Sequence, residues 1–449
     1  MTKRIHTIDG KFILGTTWLL AVLFTPVGNS VFAQALPAAE ASPISTGFAL
    51  PTTLGSLQYA VSASQSLVWG YYGNAGVGAA TNLTGDIAYL SDSKKDPFSL
   101  VFSGGHSFSE SGQGSYSFLN LGFSQVANLG RWNFVLSDSV SYLPGTSVAG
   151  LSGIPGAGDL GVSPVQIAGD TGQGILTNFS NRVSNVVSGS VQRQLTGKTS
   201  MSGSGSYSLT RFLSGSVSSA SSSSAGLDNG SWTAGGGMNH QIDPRNSFGG
   251  NYSYSKSSYP GNNNLGVSTP TFVSQTASAD YTHQFTRKLS VNAAAGPQWI
   301  SLGSAASGYS ISLFADIAAS YAGKSAVASL AFTRSSNSGY GVTGGAVSNS
   351  AIFNVSRAFA VVWRASATSS YARSSNLPIP GVALFTINTA VEAVQVSRAI
   401  SRSLSGYGSY TLEHQSLPSA PTADLFSGLS HVVSFGLTYS PSSLHLGRQ

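Results

Sequence analysis

Between Leu57 and Tyr439 the sequence returns again and again to a period of two, and this constrains the chain more than any other feature. In "SMSGSGSYSLT" (Ser200 to Thr210) Met201, Gly203, Gly205, Tyr207 and Leu209 alternate with Ser202, Ser204, Ser206, Ser208 and Thr210. In "NSFGGNYSYS" Phe248, Gly250, Tyr252 and Tyr254 oppose Gly249, Asn251, Ser253 and Ser255. The segment "GYSISLFADIAASY" sets Tyr309, Ile311, Leu313, Ala315, Ile317, Ala319 and Tyr321 against Ser310, Ser312, Asp316 and Ser320, and Val433, Phe435, Leu437 and Tyr439 repeat the arrangement. A helix keeps a period of 3.6 and a disordered linker keeps none, so these segments predict strands with one apolar face. From Tyr309 to Tyr321 is about twelve steps of ~3.4 Å, which at a tilt of ~40° project to roughly 30 Å, the separation of the two aromatic girdles of a bilayer-spanning strand.

Composition says what the other face meets. Only 8% of the 449 residues are charged, against about 25% in an ordinary soluble domain, while 41% are hydrophobic. Beyond the N-terminus no run approaches the ~20 apolar residues of a spanning helix, which leaves strands as the membrane-crossing element. The N-terminus carries its own signal. Lys3, Arg4 and Lys11 precede the apolar core "FILGTTWLLAVLF", Pro26 follows, and Val31 and Ala33 are small residues at the positions read by signal peptidase. Residues 1–33 are expected to be a signal peptide cleaved after Ala33, residues 34–56 a short periplasmic leader, and residues 57–449 the folded body. With no cysteine there are no disulfides and no thiolate metal sites, and no cofactor or metal is expected. The net charge of +6 is small and dispersed, which argues against nucleic acid as a partner.

Turn signals repeat as well. "RQLTGKTS", "HQIDPRNS", "HQFTRKLS", "SYAGKSAV", "SRAFAVVWR" and "SRAISRSL" recur at about forty-residue spacing, and "DSKKDP" and "ANLGRW" extend the series toward the N-terminus. Longer Ser/Gly/Asn/Pro segments such as "SGSVSSASSSSAGLDNG" and "YPGNNNLGVSTP" lie between them. Short turns alternating with long loops predict an all-β, antiparallel, up-and-down transmembrane β-barrel of about 18 strands (16 to 18), with the short turns in the periplasm. Closure is the physical reason, because in hydrocarbon a sheet with a free edge leaves backbone groups unpaired. In "SYSFLNLGF" the alternation changes phase at Leu119.

Over Leu57 to Tyr439 the chain resembles the Gram-negative outer-membrane β-barrel proteins, porins and related export channels included. The terminal "SFGLTY" is similar to the targeting strand read by the barrel-insertion machinery in that group, carried here by Ser434, Gly436 and Tyr439, with Ser440 to Gln449 following it. The resemblance implies outer-membrane lipids and that machinery as partners, and the outer membrane as the location.

Strand parity puts Asp86, Asp280, Asp316 and Glu392 on polar faces together with Arg182 and Arg364, as candidates either to line the lumen and shape selectivity or to pair across strands and stiffen the wall. Asp138 shares a parity with Trp132, Phe134 and Leu136, so a bulge or an interfacial position is expected there. The stretch from Leu143 to Gly174 is the longest uninterrupted loop; it either folds into the lumen as a constriction, with Asp159 and Asp170 facing the path, or stays outside. His240 and His283 fall in the repeated turns and His106, His414 and His431 near strand ends, with no nucleophile motif beside them, so no enzyme activity is expected. The leading functional expectation is a porin-like channel for small hydrophilic, mostly uncharged solutes. The alternatives are an export conduit for a surface polysaccharide and a structural or adhesive surface barrel with a closed lumen.

Overall fold

A computed structural model of the chain describes residues 53–70, 77–91, 93, 96–109, 115–143, 181–213, 228–258, 271–303, 309–337, 345–377, 384–416, 428–442 and 444–447. The strands are β1 (Thr53–Trp69), β2 (Gly78–Ser91), β3 (Phe98–Ser109), β4 (Tyr116–Leu129), β5 (Trp132–Leu143), β6 (Asn181–Gln194), β7 (Thr199–Leu213), β8 (Asn229–Asp243) and β9 (Asn246–Ser258). They continue as β10 (Phe272–Thr286), β11 (Leu289–Leu302), β12 (Tyr309–Ala322), β13 (Ala326–Asn337), β14 (Ala346–Ala358), β15 (Trp363–Asn376), β16 (Thr386–Ala399), β17 (Leu404–Ser416), β18 (Gly428–Tyr439) and the short β19 (Leu444–Gly447). Each of the first eighteen pairs antiparallel with its sequence neighbours, and β1 pairs with β18 as well as β2, so the sheet closes into an 18-stranded barrel. After Tyr439 the chain pairs again as β19 with Thr53–Leu57, so the tail extends the closing seam toward the short-turn end.

The short connections fall at 92–97, 130–131, 195–198, 244–245, 287–288, 323–325, 359–362 and 400–403, on the eight turns expected from the sequence. Their recurring motif has a mechanism. Thr196 Oγ1 accepts from the N–H groups of Lys198 and Thr199, Asp243 Oδ1 from those of Arg245 and Asn246, Thr286 Oγ1 from those of Lys288 and Leu289, and Ser401 Oγ from those of Ser403 and Leu404. A side-chain oxygen that satisfies the turn's own amides is what selects Thr, Asp or Ser at that position.

The alternation sorts as its chemistry requires. Leu67, Tyr207, Trp232, Met238, Phe248, Ile311, Ile317, Phe353, Phe435 and Leu437 are exposed on the outside, and Ser62, Ser64, Ser66, Ser103, Ser137, Ser257, Ser430 and Ser434 are buried on the inside. Aromatic groups collect at both ends of the outer face. At the short-turn end Tyr89 meets Phe98 at 5.1 Å and Trp132 stacks on Phe134 at 6.0 Å. At the long-loop end Trp69 stacks on His431 at 5.2 Å and Trp232 packs on Tyr254 at 4.9 Å.

One irregularity of the alternation is explained and one local expectation is corrected. β4 pairs without a register shift, and the apparent phase change arises because Phe118 points inward while Leu119 and Leu121 point outward. Phe118 can do so because Gly105 lies beneath it: a Cβ there would come within 2.8 Å of the ring and 2.6 Å of the Leu83 carbonyl. Asp138 needs no bulge and lies midway along β5, between Trp132 and Leu143. Its register is that of the outer face, where Oδ1 accepts from Asn185 Nδ2 at 2.7 Å, so a hydrogen bond rather than a backbone defect accommodates it.

At the long-loop end the wall overlaps itself. β12 pairs with β11 along Tyr309–Tyr321 but with β13 only along Ala315–Ala322, whereas β13 stays paired with β14 up to Asn337. The tips of β13 to β15 lie inside β10 and β11. Val347 and Leu377, on the register of the outer face, pack against Phe272, Ile300 and Leu302 on the inner face, and Ser336 Oγ meets Ser274 Oγ at 3.2 Å. The Ser336 N–H donates to Gln298 Oε1 at 3.0 Å, a bond between strands that are not neighbours in the sheet.

Candidate functional site

The inner wall is a field of hydroxyls, and they bond to one another across strands. Ser66 meets Ser434 at 2.8 Å, Ser62 meets Thr438 at 3.1 Å, Ser137 meets Ser188 at 2.6 Å, Ser184 meets Thr210 at 3.1 Å, and Ser374 donates to Ser348 at 3.0 Å. Amides tie in where they occur: Asn82 Nδ2 donates to Ser66 Oγ at 2.9 Å, and Gln298 Nε2 to Ser274 Oγ and Thr276 Oγ1 at 3.0 and 3.1 Å. A hydroxyl has one donor and two acceptor positions, so a paired serine row still presents acceptors to whatever lies in the lumen.

This wall has two unlike parts. From β15 through β18 and on to β3 many inward side chains are buried, among them Asn82, Thr84, Asp86, Ser107, Ser370, Thr389, Val391, Glu413, Gln415, Ser430 and Ser434. Along β6, β7 and the short-turn half of β9 several are open: Ser190, Gln192, Ser202, Ser204 and Asn251 are exposed.

The candidate charged residues separate accordingly. Asp280 and Asp316 share one lateral row across β9 to β13, in the order Gly249, Asp280, Ala294, Asp316, Thr333. Gly249 leaves room for the Asp280 carboxylate, which a Cβ at that position would strike, and Thr333 Oγ1 reaches Asp316 Oδ2 at 3.5 Å, the limit of a hydrogen bond. Asp86 is inward and buried, with Ala60 and Ser103 directly opposite on its neighbours. Arg364 is inward at the short-turn end, where it borders a hollow with Gln395, Ser397, Tyr407 and Thr438. The backbone of Arg182 has the inward register of Ser184, and its side chain lies outside the described residues. Asp159 and Asp170 and the loop that holds them also lie outside the described residues.

Glu392 is a correction. It pairs with Ser369 and Leu412 on the register of the exposed Tyr371 and Tyr410, which is the outer face, while Val391 and Ala393 point inward and are buried. "TINTAVEAVQVS" is apolar on both parities, so alternation by itself does not reveal its facing.

His106, His240, His283, His414 and His431 sit on the outer register. His240 Nδ1 meets Thr199 Oγ1 at 2.9 Å, His283 Nδ1 meets Asn246 Oδ1 at 2.7 Å, His106 Nδ1 meets Ser117 Oγ at 2.8 Å and His431 Nδ1 meets Tyr410 Oη at 2.8 Å. Among the described residues no three of His, Asp and Glu gather closely enough to hold a metal ion.

Sequence inspection missed several contributors. Lys198, Asp243 and Arg245, read as turn residues, border an inner hollow at the short-turn end with Asn239 and Gln241. Gly249 was legible only as one glycine among many; its pairing with Asp280 needs the register.

The fold and wall together define a class. A closed antiparallel barrel with an apolar outer belt, aromatic groups at both rims and a hydroxyl-lined interior is the architecture of a transmembrane β-barrel. No family model matches the chain, and no curated protein matches it. Among solved structures it is similar to OpdQ of Pseudomonas aeruginosa, with a TM-score of 0.42 and 8% identity over 87% of this chain and 99% of that one. OpdO of the same organism gives 0.42 and 10% over 88% and 99%, and OccAB3 of Acinetobacter baumannii 0.41 and 8% over 86% and 99%. Likenesses this loose carry no conclusion about activity.

Proposed function

We propose that the barrel is a channel of the outer membrane for small hydrophilic, mostly uncharged solutes, exported by a signal peptide cleaved after Ala33 and inserted through the strand that holds Ser434, Gly436 and Tyr439. The observation that carries this reading is the open serine and glutamine face of β6, β7 and the short-turn half of β9, which offers hydrogen bonds along a wall with few charges. Asp280 and Asp316 sit in one lateral row of the inner wall with small neighbours, so these two carboxylates should favour cations over anions where the path passes them. A barrel of eighteen strands is wide enough for an aqueous path. Residues 34–449 refolded into a planar bilayer should give discrete conductance steps, partly blocked by neutral sugars; a barrel that inserts and stays electrically silent would sink the proposal.

A second reading, a surface barrel with a closed lumen, draws on the buried inner face of β15 to β3 and on the overlap at Phe272. The same recording separates the two.

A further inference from the structure

At the short-turn end of the outer face, arginines lie over aromatic rings. Arg357 stands 5.7 Å from the ring of Phe359, Arg398 stands 5.3 Å from Trp363, and on β5 and β6, far around the barrel, Arg193 stands 4.9 Å from Trp132. The first two form one patch, because Trp363 pairs directly with Arg398 and Arg357 with Ala365, two residues along β15. Between them the turn carries Val361, fully exposed, with Val362 and Phe359 exposed beside it and Ile400 exposed in the next turn. An aromatic ring under a guanidinium suits neither water nor hydrocarbon alone. It suits the boundary between acyl chains and headgroups.

Charge points the same way. All three arginines are exposed, their faces toward the rings are occupied by cation–π contact, and among the described residues no acceptor meets their N–H edges. Lys288, Lys324 and Arg402 add positive charge to neighbouring turns. The described residues of the short turns and their flanks hold two carboxylates, Asp96 and Asp243, neither of them in the turns beside Arg357 and Arg398.

We propose that Arg357 and Arg398, positioned by Phe359 and Trp363, form a binding site for the headgroup phosphate of an anionic glycerophospholipid in the leaflet at the short-turn end. Arg193 on Trp132 repeats half of the device on the far side. Guanidinium and phosphate meet through two parallel N–H···O bonds. This is a claim about lipid recognition, and it stands whether or not the lumen conducts.

The test uses the full barrel in vesicles of phosphatidylcholine alone and of phosphatidylcholine with phosphatidylglycerol, with heat-dependent gel mobility as the measure of unfolding. The wild-type barrel should unfold at a higher temperature in the anionic vesicles, and R357Q/R398Q should lose at least half of that increment while matching wild type in phosphatidylcholine. Equal unfolding temperatures for wild type in the two lipids, or an undiminished increment in the variant, would overturn the proposal. Inorganic phosphate added to the barrel in neutral detergent distinguishes a free-anion site: stabilisation equal to that by the lipid would also overturn it. Native mass spectrometry of the wild-type barrel offers a check that needs no variant. Phosphatidylglycerol should be retained several-fold more than phosphatidylcholine, and equal retention refutes the site.

Discussion

β7 and β18 both turn serines inward, yet those serines end in opposite environments. Ser202 and Ser204 on β7 are exposed, whereas Ser430 and Ser434 on β18 are 2% exposed. Both rows alternate with apolar outer neighbours, and both join cross-strand hydroxyl pairs, Ser434 with Ser66 and Thr210 with Ser184. What differs is their burial. A serine row therefore specifies which face points inward and leaves open whether that face is wet.

The comparison can be broken most forcefully by charge. Ser434→Arg places a guanidinium where there is neither space nor solvent and should cost on the order of 4 kcal/mol or more. Ser204→Arg should stay within about 0.5 kcal/mol, as at an ordinary wetted surface. Denaturant unfolding in detergent measures both, and equal costs would mean that the two arcs do not differ in hydration. Next comes the overlap at the long-loop end. Phe272→Ala removes the buried ring on which Leu377 packs and should cost about 3 to 5 kcal/mol, with a larger single-channel conductance if the overlap narrows the path. Unchanged stability would show that the tips of β13 to β15 are not held there. The smallest effect concerns the open lumen itself. Asp280→Asn with Asp316→Asn should leave folding intact and lower the preference for cations over anions by roughly twofold, read from the reversal potential in a salt gradient. No change would remove these two residues from the permeation path.

Much of the architecture was legible before any coordinates. The turns announce themselves because Thr196, Asp243, Thr286 and Ser401 each hydrogen-bond to amides two and three residues ahead, a local interaction that leaves a local signature. Facing was legible wherever one parity was clearly apolar, as in β7, β9, β12 and β18. It was not legible at Phe118, whose inward turn depends on Gly105 in the adjacent strand, nor at Glu392, where both parities are apolar. Asp138 shows the same limit from the other side: parity placed it outward correctly, but the bond from Asn185, 47 residues away, had no sequence signal.

The sequence by itself determined that strands form, roughly how many there are and how they alternate with turns, because period-two polarity and side-chain-capped turns act over a few residues. Only the tertiary structure decided that β1 meets β18 and β19, that β13 leaves β12 partway up and slips beneath β10 and β11, and that Gly249 stands opposite Asp280. These are pairings between distant segments, fixed by closure, register and which side chains fit together across the sheet, and none of those quantities is a property of a single strand.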